Sequence, residues 1–292
     1  MSAAVLAAPR PASPTWQRLR EGFRRHPTAI AGGAVIAAMV LVAVLAPWLG
    51  TVDPQALSPI QRLKPPSGEH WFGTDMLGRD VYSRVIYGSR ISLTVGVAVA
   101  SLSIAVGLAI GLVAGFVRWL DAIAMRFMDG LMSIPSILLA IALMALTKAS
   151  VGNVIAAITL AEVPRVVRLV RGLVLSLREQ PYVEAAVAAG TKLPLILVRH
   201  ILPNTIAPLL VQGTYICASA MIIEAILSFI GAGTPPNIPS WGNIMAEARS
   251  LFQIAGYLIF FPGLFLSLTV LAVNLLGDGM RDALDPRLAR RM

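Results

Sequence analysis

Charge is what this sequence has least of: 13% of its 292 residues are Asp, Glu, Lys or Arg, where an ordinary soluble domain carries about a quarter. Cysteine is rarer still. Cys217 stands alone within an apolar run, which excludes a disulfide framework and any cysteine-based metal spacing, and its plain role is that of a small buried filler. The three histidines, His26, His70 and His200, fall in separate polar segments and do not compose a metal site. No G-x-x-x-x-G-K-[ST] run is present to cradle phosphates; Gly190-Thr191-Lys192 has the wrong order and lacks the preceding glycine. H-E-x-x-H and G-x-S-x-G are absent as well. Uphill work by this chain would therefore draw its energy from a partner chain or an ion gradient.

What is abundant is apolar: 57% of residues are hydrophobic and the mean hydropathy is +0.75. A water-soluble fold could not hide so much apolar side chain, and these residues come in runs. About 20 apolar residues are what a helix needs to cross some 30 Å of hydrocarbon. Six runs, 29–49, 91–117, 127–146, 151–170, 206–230 and 257–276, predict an all-α polytopic integral membrane protein with six transmembrane helices. Glu162, Pro164, Arg165 and Arg168 crowd the second half of the fourth run, so that span is expected to end near Val163. Arginines precede the first run as in a secretion signal. Its length and the lack of an A-x-A-like site before Gly50 predict a retained helix instead.

Lys and Arg set the orientation. Seventeen lie in the amino-terminal tail (1–28), the second and fourth connections and the carboxyl tail (281–292); seven lie in the others. Both termini are thus expected in the cytoplasm. The net charge of +9 then reflects topology and the anionic inner leaflet, not nucleic-acid binding, for which no basic stripe with interleaved aromatics is present. Two connections are long: a polar outer segment, 50–90, and an inner loop, 171–205, within a five-helix core spanning 91–280. Long connections usually carry function or contact a partner.

The inner loop parses physically. Pro181 suits a first helical turn, Glu184 a helix amino end, and Ala185, Ala186, Ala188 and Ala189 a helix interior. Gly190 permits the positive φ that ends it. Pro194 starts a second short helix that Pro203 and Asn204 are expected to close. Its small-residue surface suits docking in a partner's groove.

Glu184-Ala185-Ala186, Gly190, His200, Leu202, Pro203 and Asn204 together form the E-A-A-x-x-x-G…H-x-LP pattern, and on it the chain resembles binding-protein-dependent ABC importer permeases of the type I, methionine-permease-like fold. The resemblance implies that the loop is a coupling helix seated in a cleft of an ATPase subunit. Three more stretches are similar to the C-type subunit of dipeptide, oligopeptide and nickel permeases. They are Trp71 to Arg84, with Gly73-Thr74-Asp75 and Gly78-Arg79-Asp80; Glu224 to Gly231 with Pro239-Ser240-Trp241-Gly242; and Asn274 to Arg287. Val163 stands where that family's aromatic is expected, and Ile230-Gly231-Ala232-Gly233 replaces the commoner L-G-L-G.

The resemblance implies a bacterial inner-membrane permease importing dipeptides or oligopeptides, or nickel complexes or another small solute by the same machinery. Implied partners are a second homologous permease, two ATPase subunits that hold the ATP and Mg, an extracytoplasmic substrate-binding protein and the lipid bilayer. No cofactor and no catalytic residue is implied in this chain. Asp75, Arg79, Asp80 and Trp241 fall on the expected binding-protein face, where the three charged residues equally suit a solvated loop held by ion pairs. Glu224, ionisable within a span, has three readings: the translocation path, a bond to the partner permease, or a group satisfied by a neighbouring helix. Pro135 reads as a packing kink. Gly107, Gly111 and Gly115 make a small face for close helix contact, within the chain or with another. An ion-coupled secondary transporter would call for several mid-membrane acids and an inverted repeat; a membrane-embedded enzyme would call for clustered nucleophile and base residues. Neither pattern is found in the sequence.

Overall fold

The computed structural model describes residues 27–284. The tail arginines Arg10 to Arg25, and Asp285 to Arg291 at the other end, lie outside the described residues. Within them all regular structure is helical apart from an isolated bridge between Thr74 and Asp80. The helices are α1 (Pro27–Leu45), α2 (Val81–Phe116), α3 (Arg118–Met132), α4 (Ser136–Ala145), α5 (Val151–Arg178), α6 (Pro181–Ala188), α7 (Leu193–Ile196), α8 (Leu202–Phe229), α9 (Trp241–Glu247) and α10 (Tyr257–Leu284).

α2 is the central rod. Asp80 caps it by accepting from the Ser83 N–H at 2.8 Å and the Ser83 hydroxyl at 2.7 Å, so the helix begins ten residues before the apolar run does. Its 36 residues span about 54 Å, well beyond the hydrocarbon thickness. The polar first turns therefore project from the membrane with Arg84 and Arg90.

The glycine face of α2 meets α5 of the same chain, which resolves the choice the motif left open. A Cβ on Gly107, Gly111 or Gly115 would lie 2.5, 2.7 or 2.6 Å from the Cβ of Val166, Val170 or Val174. The matched steps of four show the two helices running parallel, backbone close to backbone. A second close contact joins the ends of the chain. Gly32 of α1 sits against Ala272 and Leu275 of α10, and Gly279 of α10 sits against Ala29. α8 packs between α2 and α10, where Met221 and Cys217 lie over Gly96.

Two expectations are corrected. The third run is no single helix: the chain turns by 86° between α3 and α4, because Pro135 cannot donate to the preceding turn. The helix that carries the fourth span is longer than the apolar run: α5 continues through Pro164 to Arg178, held by the burial of Val166, Val167, Val170 and Val174 against its neighbours. Pro203 and Asn204 do not close a short helix. α7 passes through a π turn, Leu197–Ile201, directly into α8, and the widened turn accommodates the missing Pro203 N–H. Among the described residues four helices are long and apolar enough to cross a membrane, or five if the bent α3–α4 pair counts as one. α5 is long enough at 28 residues, but Glu162 and its arginines keep it outside that count.

Candidate functional site

At one end of the bundle α6, α7 and the π turn form an elbow. Gln180 precedes Pro181 at the helix start and Glu184 lies in the first turn, where the carboxylate complements the helix amino end. At the other end Thr191 N–H donates to Ala186 O at 3.0 Å and Gly190 N–H to Val187 O at 2.9 Å. That pair, with Gly190 at φ +75°, is a Schellman ending. Three side chains tie the elbow down: Val183, Ile196 and Ile201 are buried in the core that holds Val174 and Leu227.

The rest of the elbow faces outward. Glu184, Ala185, Ala188, Gly190 and Pro203 are exposed, while Ala186, His200 and Leu202 are half-buried. The Tyr182 and His200 rings lie 6.2 Å apart, and Asn204 bridges Tyr182 to the His200 carbonyl. The motif residues separated in sequence thus meet on one surface. Tyr182, Val187, Leu195 and Val198, each at least 43% exposed, join them as apolar contact area that the motif did not single out. Their spacing around the anchors Val183 and Ile196 could have revealed them. The surface is small, apolar and open.

The opposite end carries an ion-pair cluster. Asp75 accepts from Arg79 Nε and from Arg84 Nη1, each at 2.6 Å, and from the Leu77 and Arg79 N–H groups. Glu247 of α9 accepts from Arg84 at 2.6 and 3.0 Å and also from Arg79. Gly78, at φ +73° and with the Ser58 carbonyl where a Cβ would sit, lets the Asp75–Arg79 turn fold back. Asp75 and Arg79 thus come together; Asp80 instead caps α2 and contacts His70 at 3.2 Å. The sequence reading named Arg84 only as the end of a family-like stretch and missed Glu247, from which it lies 163 residues away. A cleft of ≈ 450 Å³ opens beside the cluster, lined by Arg62, Met76, Leu77 and Glu247 among others.

Trp241 does not offer its side chain at this face. It is fully buried, donating from Nε1 to the Val85 carbonyl at 3.1 Å, because α9 packs inward on α2 and α10. Glu224 is likewise fully buried. Its Oε1 accepts from Ser228 at 2.8 Å, at the head of a chain through Thr234, Ser240 and Asn243, and its Oε2 has no hydrogen-bond partner among the described residues. Glu162, a second buried carboxylate, lies 3.0 Å from Arg165 and 3.4 Å from Ser219 on α8. No group of three or more His, Cys, Asp or Glu converges among the described residues.

The family model described as the binding-protein-dependent transport system inner membrane component matches residues 107–290, and that of the N-terminal transmembrane domain of oligopeptide transport permease C matches 14–66. The chain is 55% identical over 268 residues to a probable peptide ABC transporter permease protein of Sinorhizobium fredii, covering 92% of each. It is 40% identical over 274 residues to a dipeptide transport system permease protein of Alkalihalophilus pseudofirmus, covering 94% of this chain and 90% of that one. With a glutathione transport system permease protein of Escherichia coli it shares 40% identity over 290 residues, 99% of this chain and 96% of the other.

Proposed function

Because this chain belongs to the family of binding-protein-dependent transport system inner membrane components, we propose that it is a membrane-spanning subunit of an ATP-driven importer of peptides. The substrate class follows from relatives named for peptides, dipeptides and glutathione. Its partners are a second permease, two ATPase subunits that bind ATP and Mg, and a substrate-binding protein on the outer side. The chain itself hydrolyses nothing. It crosses the inner membrane six times with both termini in the cytoplasm; the segment after the 86° bend, built on α4, and α5 make the third and fourth crossings, and the arginines of α5 lie toward the cytoplasm.

The observation that carries this reading is the elbow. Pinned by Val183, Ile196 and Ile201 and closed at Gly190, it presents a small, apolar surface while its second half is continuous with α8. When ATP closes the ATPase pair, a push on the elbow moves α8 as a rod. The far end of that rod carries Glu224 and the Ser228–Thr234–Asn243 chain, which ties α8 to α9. α9 in turn holds Glu247 against Arg79 and Arg84. Motion at the inner surface thus reaches the outer face that receives the binding protein.

Gly190→Arg tests the docking role. Apart from its chain neighbours, no described residue lies within 4 Å of a Cβ at that position, so the arginine would project from the elbow into the partner's cleft. Membrane insertion is expected to persist and peptide uptake to be lost; normal uptake by this variant would refute the assignment.

A further inference from the structure

α3 is unlike the other long helices. Four of its fifteen residues are charged, Arg118, Asp121, Arg126 and Asp129, and each charge at mid-bilayer is costly. Its ion pairs give its direction: Asp121 pairs with Arg171 and Asp129 with Arg168. Eight residues along α3 advance it about 12 Å, while the partners on α5 retreat only three residues, about 4.5 Å. α3 therefore runs mostly across α5, and it stands at 86° to α4. A helix transverse to the bundle lies along the membrane plane.

The faces of α3 divide into three. Met125, Met128 and Leu131 pack against Val163, Val167 and Ile110. Trp119, Ile123 and Phe127, spaced by four, form a stripe that is 65, 63 and 61% exposed. Arg118 and Arg126 flank that stripe, exposed and with no ion-pair partner among the described residues. An apolar stripe bordered by cations and carrying a Trp is the composition of a helix that lies in the headgroup layer.

We propose that α3 is an interfacial helix that binds the anionic phospholipid surface of the cytoplasmic leaflet. Trp119, Ile123 and Phe127 insert at the acyl boundary, and Arg118 and Arg126 meet lipid phosphates. The surface charge of that leaflet complements the two free arginines. The contact reaches the transport core directly, since α3 holds Arg168 and Arg171 on α5, about three turns before the elbow. The inference takes the cytoplasmic placement of this corner as given and is independent of the substrate.

The complete chain, purified with its accompanying subunits, would be reconstituted in vesicles of phosphatidylethanolamine and phosphatidylglycerol, with a spin label at Ile123→Cys in a Cys217→Ala background. Relaxation by oxygen exceeding that by a water-soluble nickel chelate is expected. Dominance of the chelate would mean an aqueous face, and protection from both would mean that another subunit covers the stripe; either overturns the proposal. Should the labelled chain fail to fold, the loss of brominated-lipid quenching on Trp119→Phe in the otherwise unaltered chain reads the same contact. Arg118→Gln with Arg126→Gln should retain roughly tenfold less phosphatidylglycerol, relative to phosphatidylethanolamine, through purification; equal retention would overturn the anionic preference.

Discussion

Arg84 illustrates how a single side chain can hold two distant segments together. It is 2% exposed and pairs with both Asp75 and Glu247, so its loss would strip a buried carboxylate of one counter-ion. Removing one member of a buried pair costs about 3 kcal/mol or more. Glu247, at 32% exposure, is open to water, and loss of its charge should cost closer to 1 kcal/mol. Arg84→Met is therefore expected to lower the unfolding midpoint in detergent distinctly more than Glu247→Gln. Equal shifts would show that the cluster is held by solvent-screened contacts. Arg84 closes a recognisable stretch, but its pairing with Glu247 is not legible in the linear chain, because a charge near an apolar run looks the same whether or not a partner lies 163 residues away. Asp80 was more legible: an acid three residues before a serine at the head of a long helix is a local signal, although the role it marks is that of a cap.

Among the helices, α2 and α5 depend on the absence of side chains. Gly111 places the α2 backbone where its Cβ would be 2.7 Å from Val170 Cβ and 3.0 Å from the Val167 carbonyl. Gly111→Ala should therefore separate the two rods and lower both the folded yield and the unfolding midpoint. Adding Val170→Ala removes the branched carbons that meet the new methyl but not the carbonyl, so it should restore part of the loss. No restoration would place the cause in the α2 backbone itself. The spacing of Gly107, Gly111 and Gly115 disclosed a contact face from sequence, yet only the fold identifies its partner. Hydropathy failed for a different reason at α3. Phe127 begins an apolar run by composition, but Asp121 and Asp129 bind arginines on α5, and these tertiary pairs turn the segment across the bundle.

For the whole molecule, coupling requires that the elbow and the ion-pair cluster lie on opposite sides of the membrane. The chain's geometry sets them at opposite ends of α8 and of the parallel α2–α5 pair, and the lysine and arginine bias predicts a cytoplasmic elbow. Cysteines introduced in a Cys217→Ala background test the assignment. Gln55→Cys, exposed on the segment before α2, should react with a membrane-impermeant maleimide in intact cells. Ala188→Cys, exposed on the elbow, should react only after the inner face is opened. Under the proposed function, the elbow's exposed apolar surface serves transport where an ATPase can reach it. Labelling of Ala188→Cys from outside would sever the mechanical link from ATP hydrolysis to α8, and with it the importer mechanism.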